Sequence, residues 1–251
     1  MRKKIVAGNW KMNKSWPEAK ALAEGFTGRK DDIPVGVHVI IAPPSLYVQG
    51  LQHILPSSIA VATQNCSQHD SGAYTGEISA GMLHAMDVKY CIIGHSERRQ
   101  YYGETNAIIR EKVDACLRNN VAPIFCCGEL LSERNAGEHF DTVSTQVKQA
   151  LFHLTADQMA QVVIAYEPVW AIGTGVTASN EQAEEMHAFI RGVMAEYYTS
   201  AVADEISILY GGSVNAANAA DLLACPNVDG GLVGGASLKV DDFMTIIQAA
   251  Q

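Results

Sequence analysis

Positive charge is scarce in this 251-residue chain: 18 Lys+Arg stand against 27 Asp+Glu, a formal net charge of −9. Such a field repels nucleic acid and anionic membranes, so neither is an expected partner, and an anionic ligand has to be held by local groups. Long apolar runs are also missing, and nothing approaches the roughly 20 residues that cross a bilayer. The basic start, Met1-Arg2-Lys3-Lys4, leads into an apolar stretch too short for a secretory signal. No CxxC pair occurs. The six cysteines (Cys66, Cys91, Cys116, Cys126, Cys127, Cys225) are scattered, several within apolar runs, and read as reduced core thiols of a cytoplasmic protein. With no HExxH and no Cys/His cluster along the sequence, no metal site is expected. Low-complexity tracts and Ser/Gly/Pro-rich linkers are absent too, which leaves one domain over 1–251.

What is present is a regular alternation. Short apolar runs occur at Ile5–Trp10, Val37–Ala42, Ile59–Gln64, Tyr90–Gly94, Val121–Cys127, Val162–Tyr166, Ile206–Tyr210 and Gly231–Val233. Helical signals separate them. Ser15–Glu18 and Ser179–Gln182 have capping-box spacing, the first with Pro17 in the opening turn. Tyr47, Val48, Leu51 and Leu55 predict a helix from about Ser45, and Ile78, Met82 and Met86 predict one with those residues on one face. Further stripes run through Ile109, Val113 and Cys116, through Phe140, Val143, Val147 and Leu151, through Met186, Ile190, Val193 or Met194 and Tyr197, and through Phe243, Ile246 and Ile247. A short helix is expected at about Asn218–Ala224. Strands apolar on both faces belong in a buried parallel sheet. Eight βα units in this length predict an α/β fold closed into a barrel of eight parallel strands. An open doubly wound sheet should carry GxGxxG in its first βα turn, where Gly8-Asn9-Trp10-Lys11 stands instead.

Such a barrel places its chemistry at the C-terminal strand ends. Those ends supply Asn9 and Lys11, Gln64-Asn65, His95 and Glu97, Gly128-Glu129, Glu167, Gly211-Gly212-Ser213, and Gly234-Gly235. Glu167 ends the sixth strand, followed by Pro168, an apolar Val169-Trp170 pair and the glycine-punctuated Gly173-Thr174-Gly175, the pattern of a base beneath a lid. Alone it reads equally well as a solvated strand end. Each Gly-Gly alone is a tight turn, but two at adjacent strands favour a phosphate held by bare backbone N–H groups. His95 precedes a helix start at Ser96-Glu97, where the dipole disfavours imidazolium and favours a neutral donor. The other seven histidines read as structural. Glu97, beside Arg98 and Arg99, reads as an ion-paired structural group, and Glu129 is a rival for the base. Together these groups fit proton abstraction beside a carbonyl in a small phosphorylated substrate.

On these residues the chain resembles the triosephosphate isomerase family, essentially end to end. The matching motifs are Gly8-Asn9-Trp10-Lys11-Met12-Asn13, Gly76-Glu77, Ile93-Gly94-His95-Ser96-Glu97-Arg98-Arg99, Ala165 through Gly175, Tyr210-Gly211-Gly212-Ser213-Val214-Asn215, and Leu232 through Leu238. The family is itself the usual illustration of the (β/α)8 TIM barrel and of this Glu/His pairing. The resemblance implies a glycolytic and gluconeogenic isomerase of dihydroxyacetone phosphate and D-glyceraldehyde 3-phosphate that needs no cofactor. Glu167 would move the proton, neutral His95 would polarise the carbonyl, and Lys11, with Asn9, would stabilise the enediolate. Gly173, Ser213, Gly234 and Gly235 would hold the phosphate. Ile172 and Leu232 would press on Glu167 and dry it, raising its pKa. It further implies a homodimer in which the 65–76 loop, Thr75 near its tip, enters the partner beside Asn9 and Lys11. Two departures stand out: Val176-Thr177-Ala178, where many members begin with Lys, and Cys126-Cys127, where Ile often follows the first Cys.

Other readings compete. A sugar-phosphate epimerase or aldolase would share the phosphate site, but a Schiff-base aldolase needs a strand-borne lysine, which the strands as read do not offer. A non-catalytic phosphometabolite-binding barrel should have lost Glu167, His95 or Lys11, and all three are present.

Overall fold

The computed structural model of the chain describes residues 2–173 and 177–251. Thr174, Gly175 and Val176, the tip of the expected lid and the first residue of its hinge, lie outside the described residues. Eight strands pair in chain order into a closed barrel: β1 (Lys4–Asn9), β2 (Val37–Ala42), β3 (Ile59–Thr63), β4 (Tyr90–Ile93), β5 (Ala122–Cys127), β6 (Val163–Tyr166), β7 (Ile208–Tyr210) and β8 (Gly230–Val233). Every neighbouring pair is parallel, and β8 returns to β1 through Ile5↔Gly230 to Gly8↔Val233.

The helices cover the barrel: α1 (Trp16–Gly28), α2 (Val48–Gln52), α3 (Ala80–Ala85), α4 (Ser96–Tyr102), α5 (Asn106–Arg118), α6 (Leu131–Asn135), α7 (His139–Leu151), α8 (Ala156–Met159), α9 (Asn180–Tyr197), α10 (Ser200–Ala203), α11 (Ala219–Leu223) and α12 (Val240–Gln248). Alternate residues of one strand serve two cores, because side chains point to opposite faces. In β2, Ile40 and Ala42 join Ile92, Ile124 and Leu209 inside the barrel. Val39 and Ile41 face outward, in the layer between strands and helices. Both faces are therefore apolar, the reason these strands read as unbroken hydrophobic runs. Phe26 of α1 packs edge-on against Phe243 of α12 at 5.5 Å between centroids.

Some local expectations are corrected. The helix expected from Ser45 is a 3-10 turn over Ser45–Tyr47 followed by the five-residue α2, and Leu55 is buried beyond its end. In α3 the buried residues are Ala80 and Leu83, whereas Met82 is 57% exposed and Met86 40% exposed. Ile78 precedes α3 and packs against the core, so the expected stripe is split and only its two methionines are exposed. Tyr197 is half-exposed, stacked on Phe152 and donating to its carbonyl. The helices α6, α8 and α10 escaped the sequence reading because four or five residues are too few to establish a period.

Lys4 proves to belong to β1, but at the end opposite the mouth, with Nζ 3.0 Å from the Val228 carbonyl. That end is tied by Asp229, fully buried, which accepts from Arg2 Nε at 2.6 Å, Arg191 Nη2 at 2.7 Å and the Ile208 N–H at 3.0 Å. Among the described residues no helix is long and apolar enough to cross a membrane.

Candidate active site at the C-terminal mouth of the barrel

Asn9 is the last residue of β1, and the turn after it places Lys11 at φ +50°. A left-handed lysine costs on the order of 1 kcal/mol and persists only where its surroundings hold it. Here they do. The Lys11 N–H donates to Asn9 Oδ1 at 3.0 Å, its carbonyl accepts from Gln64 Nε2 at 2.8 Å, and Nζ lies 2.5 Å from Glu97 Oε1. Glu97 thus serves Lys11 rather than Arg98 or Arg99, contrary to the reading from sequence adjacency. Those arginines turn away: Arg98 pairs with Glu104 at 2.6 Å, and Arg99 donates to the carbonyls of Gly94 and Cys126. Successive helical residues project about 100° apart, so neighbours in sequence need not meet.

His95 follows β4 and immediately precedes α4, as expected. Its Nδ1 accepts from the Glu97 N–H at 3.2 Å, and its Nε2 lies 2.9 Å from Glu167 Oε1. An Nδ1 that accepts carries no proton, so the ring is the neutral Nε2–H tautomer donating to the carboxylate. Burial lowers its affinity for a second proton and Glu167 raises it, with Lys11 opposing; the net direction is upward from 6.5. A second proton would nonetheless displace the Glu97 N–H from Nδ1.

Glu167 sits just beyond β6, only 2% exposed. Its Oε2 accepts from the Ser96 N–H at 2.8 Å. Burial pushes its pKa up, but His95, the Ser96 N–H and Lys11 together outweigh burial and hold it below the ordinary 4.5. The drying effect expected from the sequence is therefore present and is overcome by donors. Two glycines admit the residue: a Cβ on Gly128 would lie 1.7 Å from the Glu167 carbonyl oxygen, and one on Gly211 would lie 2.9 Å from Glu167 Cγ. The sequence placed Gly128 at a strand end and Gly211 in a turn, without showing what they pass.

Glu129 is fully buried, yet it is not placed as a base. One oxygen, Oε1, accepts from Tyr166 Oη at 3.0 Å, Trp170 Nε1 at 2.8 Å and Arg134 Nη1 at 3.2 Å. Its carbonyl accepts from the Val169 N–H at 3.1 Å. Glu129 thus fixes the apolar Val169-Trp170 pair, and Arg134 lies over the Trp170 ring.

Asn9, Lys11, His95, Glu167, Ile172, Gly173, Ser213, Leu232, Gly234 and Gly235 all line one cavity of about 550 Å³. The structure adds Lys239 and Asp242 at its rim, paired at 3.5 Å. Among the described residues, no bond within the chain engages the N–H groups of Ser213 or Gly235. The Ser213 carbonyl is fixed by Asn218 Nδ2 at 3.0 Å. Glu97 lies outside this cavity, in an adjoining one of about 450 Å³ that it shares with Asn9, Lys11 and His95. Thr75 lines neither, standing on the exposed 70–77 segment. Of the histidines read as structural, His187 is fully buried against Tyr166 and Tyr210, and burial pushes its pKa down to about 3.

Comparison with known proteins meets this geometry from another side. A family model described as triosephosphate isomerase matches residues 4–250. A triosephosphate isomerase of Cytophaga hutchinsonii is 53% identical over 250 residues, covering 99% of this chain and 100% of its own. One from Porphyromonas gingivalis is 52% identical over the same shares, and one from Chloroherpeton thalassium is 50% identical over the full length of both chains. With its mouth built from the residues that carried the resemblance, and with relatives matched from end to end, the chain belongs to the triosephosphate isomerase family.

Proposed function

We propose that this cavity binds a triose phosphate and interconverts dihydroxyacetone phosphate and D-glyceraldehyde 3-phosphate, the isomerisation shared by glycolysis and gluconeogenesis. The observation that carries the reading is the meeting of Glu167 and His95 at 2.9 Å in the cavity that also holds Lys11 and the bare Ser213 and Gly235 N–H groups. The phosphate sits against those N–H groups, with Gly173 and Gly234 beside them. A dianion there needs close backbone donors, because the chain's overall field opposes it.

In the reaction, Glu167 removes a proton from the carbon beside the carbonyl. The C–H electrons become the C1–C2 double bond, and the carbonyl electrons move onto oxygen. His95 Nε2–H, now donating to Glu167, turns to that oxygen once the carboxylate swings to carbon. Lys11 Nζ, positioned by Asn9 and Glu97, stabilises the enediolate charge. Glu167 then returns the proton to the neighbouring carbon, while His95 carries a proton from the first hydroxyl to the former carbonyl oxygen, so that the C1–C2 double bond collapses and the carbonyl forms on the other carbon. Atoms and electrons balance with no cofactor. Ile172 and Leu232, lining the cavity beside Glu167, keep water from the intermediate.

The same reading makes the protein a homodimer. The 70–77 segment is exposed, and the adjoining cavity beside Asn9 and Lys11 is lined by Met12, 95% exposed, and Tyr102, 69% exposed. The Thr75 loop of one copy fills that cavity in the other. Free thiols and a glycolytic reaction favour the cytoplasm.

The test is turnover of D-glyceraldehyde 3-phosphate by the purified chain beside Glu167→Gln. The expected loss is at least about 10²-fold in kcat. Absent turnover, or equal turnover by the variant, overturns the reading.

A further inference from the structure

Three cysteines that are far apart in sequence meet at one point. Cys66 follows β3, Cys91 lies in β4 and Cys116 in α5, and each is at most 1% exposed. Their sulfurs all lie within 4.8 Å of one another, with Cys66 Sγ 3.5 Å from Cys116 Sγ. The spacing along the chain, which led to the expectation of no metal site, gives no sign of this grouping. The remaining buried thiols behave differently: Cys126 and Cys127 point to opposite faces of β5, one into the barrel and one outward.

Three sulfurs within 4.8 Å of one another lie close to the spacing a metal thiolate needs. Zn–S bonds of about 2.3 Å set sulfurs roughly 3.8 Å apart in a tetrahedral site and roughly 4.0 Å apart in a trigonal one. A disulfide between Cys66 and Cys116 would use only two of the three groups and would require a sulfur to move by more than 1 Å.

The surrounding charge selects the ion. Lys112 is 3% exposed, and its field reaches both Cys66 and Cys116. Its Nζ lies 2.6 Å from Glu104 Oε1, the same oxygen that Arg98 Nε approaches at 2.6 Å. Two cations thus share one carboxylate, leaving one positive charge beside the thiols. Three thiolates around a divalent ion carry one negative charge and cancel it; around a monovalent ion they would carry two. We propose that Cys66, Cys91 and Cys116 form a buried site for a single thiophilic divalent d10 cation of the Zn²⁺ class. Binding follows M²⁺ + 3 RSH → [M(SR)₃]⁻ + 3 H⁺, which balances atoms and charge. The site stands apart from the catalytic cavity, since none of the three cysteines lines it.

Cd²⁺ is the probe, because thiolate coordination gives it an ultraviolet charge-transfer band. The reduced full-length chain is titrated both folded, with incubation to constant absorbance, and during refolding. The expected result is a band saturating at one Cd²⁺ per chain, about three protons released per ion, displacement by Zn²⁺, and a higher Tm in the presence of either ion. Cys116→Ala should weaken binding at least tenfold, and Cys225→Ser, altering the one partly exposed thiol, should leave it unchanged. If Cys116→Ala does not fold, Cys91→Ser carries the same expectation. The proposal is overturned by the absence of a band in the parent chain, by a band that survives Cys116→Ala or Cys91→Ser, or by one that is lost in Cys225→Ser.

Discussion

Glu167 and His95 face each other at 2.9 Å, Oε1 to Nε2, while the second carboxylate oxygen takes the Ser96 N–H at 2.8 Å. Both oxygens of the proposed base are thus occupied by donors, and one of those donors is the proposed electrophile. The resting site stores its two reactive groups against one another, and substrate has to separate them.

That pairing fixes a pH dependence. A carboxylate held below its ordinary 4.5 contributes stability that is present above the unfolded pKa and lost as pH falls through the folded one. A ring held above 6.5 contributes stability that is complete below the unfolded value and lost as pH rises through the folded one. Nuclear magnetic resonance titration of a 13C-labelled Glu167 carboxyl should give a pKa under 4.5, rising in His95→Ala. An unchanged value in that variant would show that His95 is not what lowers it.

Gly211 and Gly128 separate positioning from folding. A Cβ at Gly211 meets Glu167 Cγ at 2.9 Å and the Tyr166 carbonyl oxygen at 3.1 Å, a closer fit than real contacts show but far looser than at Gly128. Gly211→Ala should still fold, with a lowered Tm, and lose about 10²-fold in kcat, because a shift of the order of 1 Å at a reacting group has that effect. At Gly128 the clash is with backbone at 1.7 Å, so Gly128→Ala should fail to give soluble, cooperatively unfolding protein. Circular dichroism melts and turnover of the two variants check the contrast.

Removing the Glu129 charge should act through Trp170. Glu129→Gln replaces a carboxylate oxygen that now accepts from Tyr166, Trp170 and Arg134, at a cost of about 2–3 kcal/mol for the buried group left poorly paired. Urea unfolding measures that loss, and Trp170 fluorescence should change with it. Unaltered fluorescence would mean that Glu129 does not hold the indole.

At the opposite end of the barrel, Arg191→Ala leaves Asp229 without one of its donors and opens the bonds to the Ala203 and Ile206 carbonyls. A loss of about 3–5 kcal/mol is expected, with kcat per folded molecule unchanged because none of these groups borders the mouth. Unfolding and activity measured on one preparation decide it.

Thr75→Arg should convert the proposed dimer to monomer, seen as a halved mass in sedimentation velocity. Lower activity should follow, through the Lys11 region. A parent chain that sediments as a monomer would sink the dimer reading.

Much of the site was legible in the sequence because strand ends are punctuated: Asn9, His95, Glu167 and Gly234 each follow an apolar run directly, and one barrel gathers all such ends. Glu97 is ion-paired as expected, but with Lys11, because adjacency to Arg98 and Arg99 says nothing about direction once a helix turns those side chains away. Met82 and Met86 share helical spacing with Ile78, yet only Ile78 packs on the core, since periodicity gives a face without saying what the face meets.

The sequence by itself determined the barrel, its eight strands and most of the groups at its mouth, Lys239 and Asp242 excepted. Those follow from local pattern: apolar runs long enough for strands, caps that start helices, glycines where a side chain cannot pass. Only the tertiary structure decided the pairings. Lys11 with Glu97, Glu167 between His95 and Ser96, Glu129 under Trp170, and Cys66 with Cys91 and Cys116 all join residues brought together by barrel closure. Such contacts depend on the register of strands and the rotation of helices, to which no spacing along the chain corresponds.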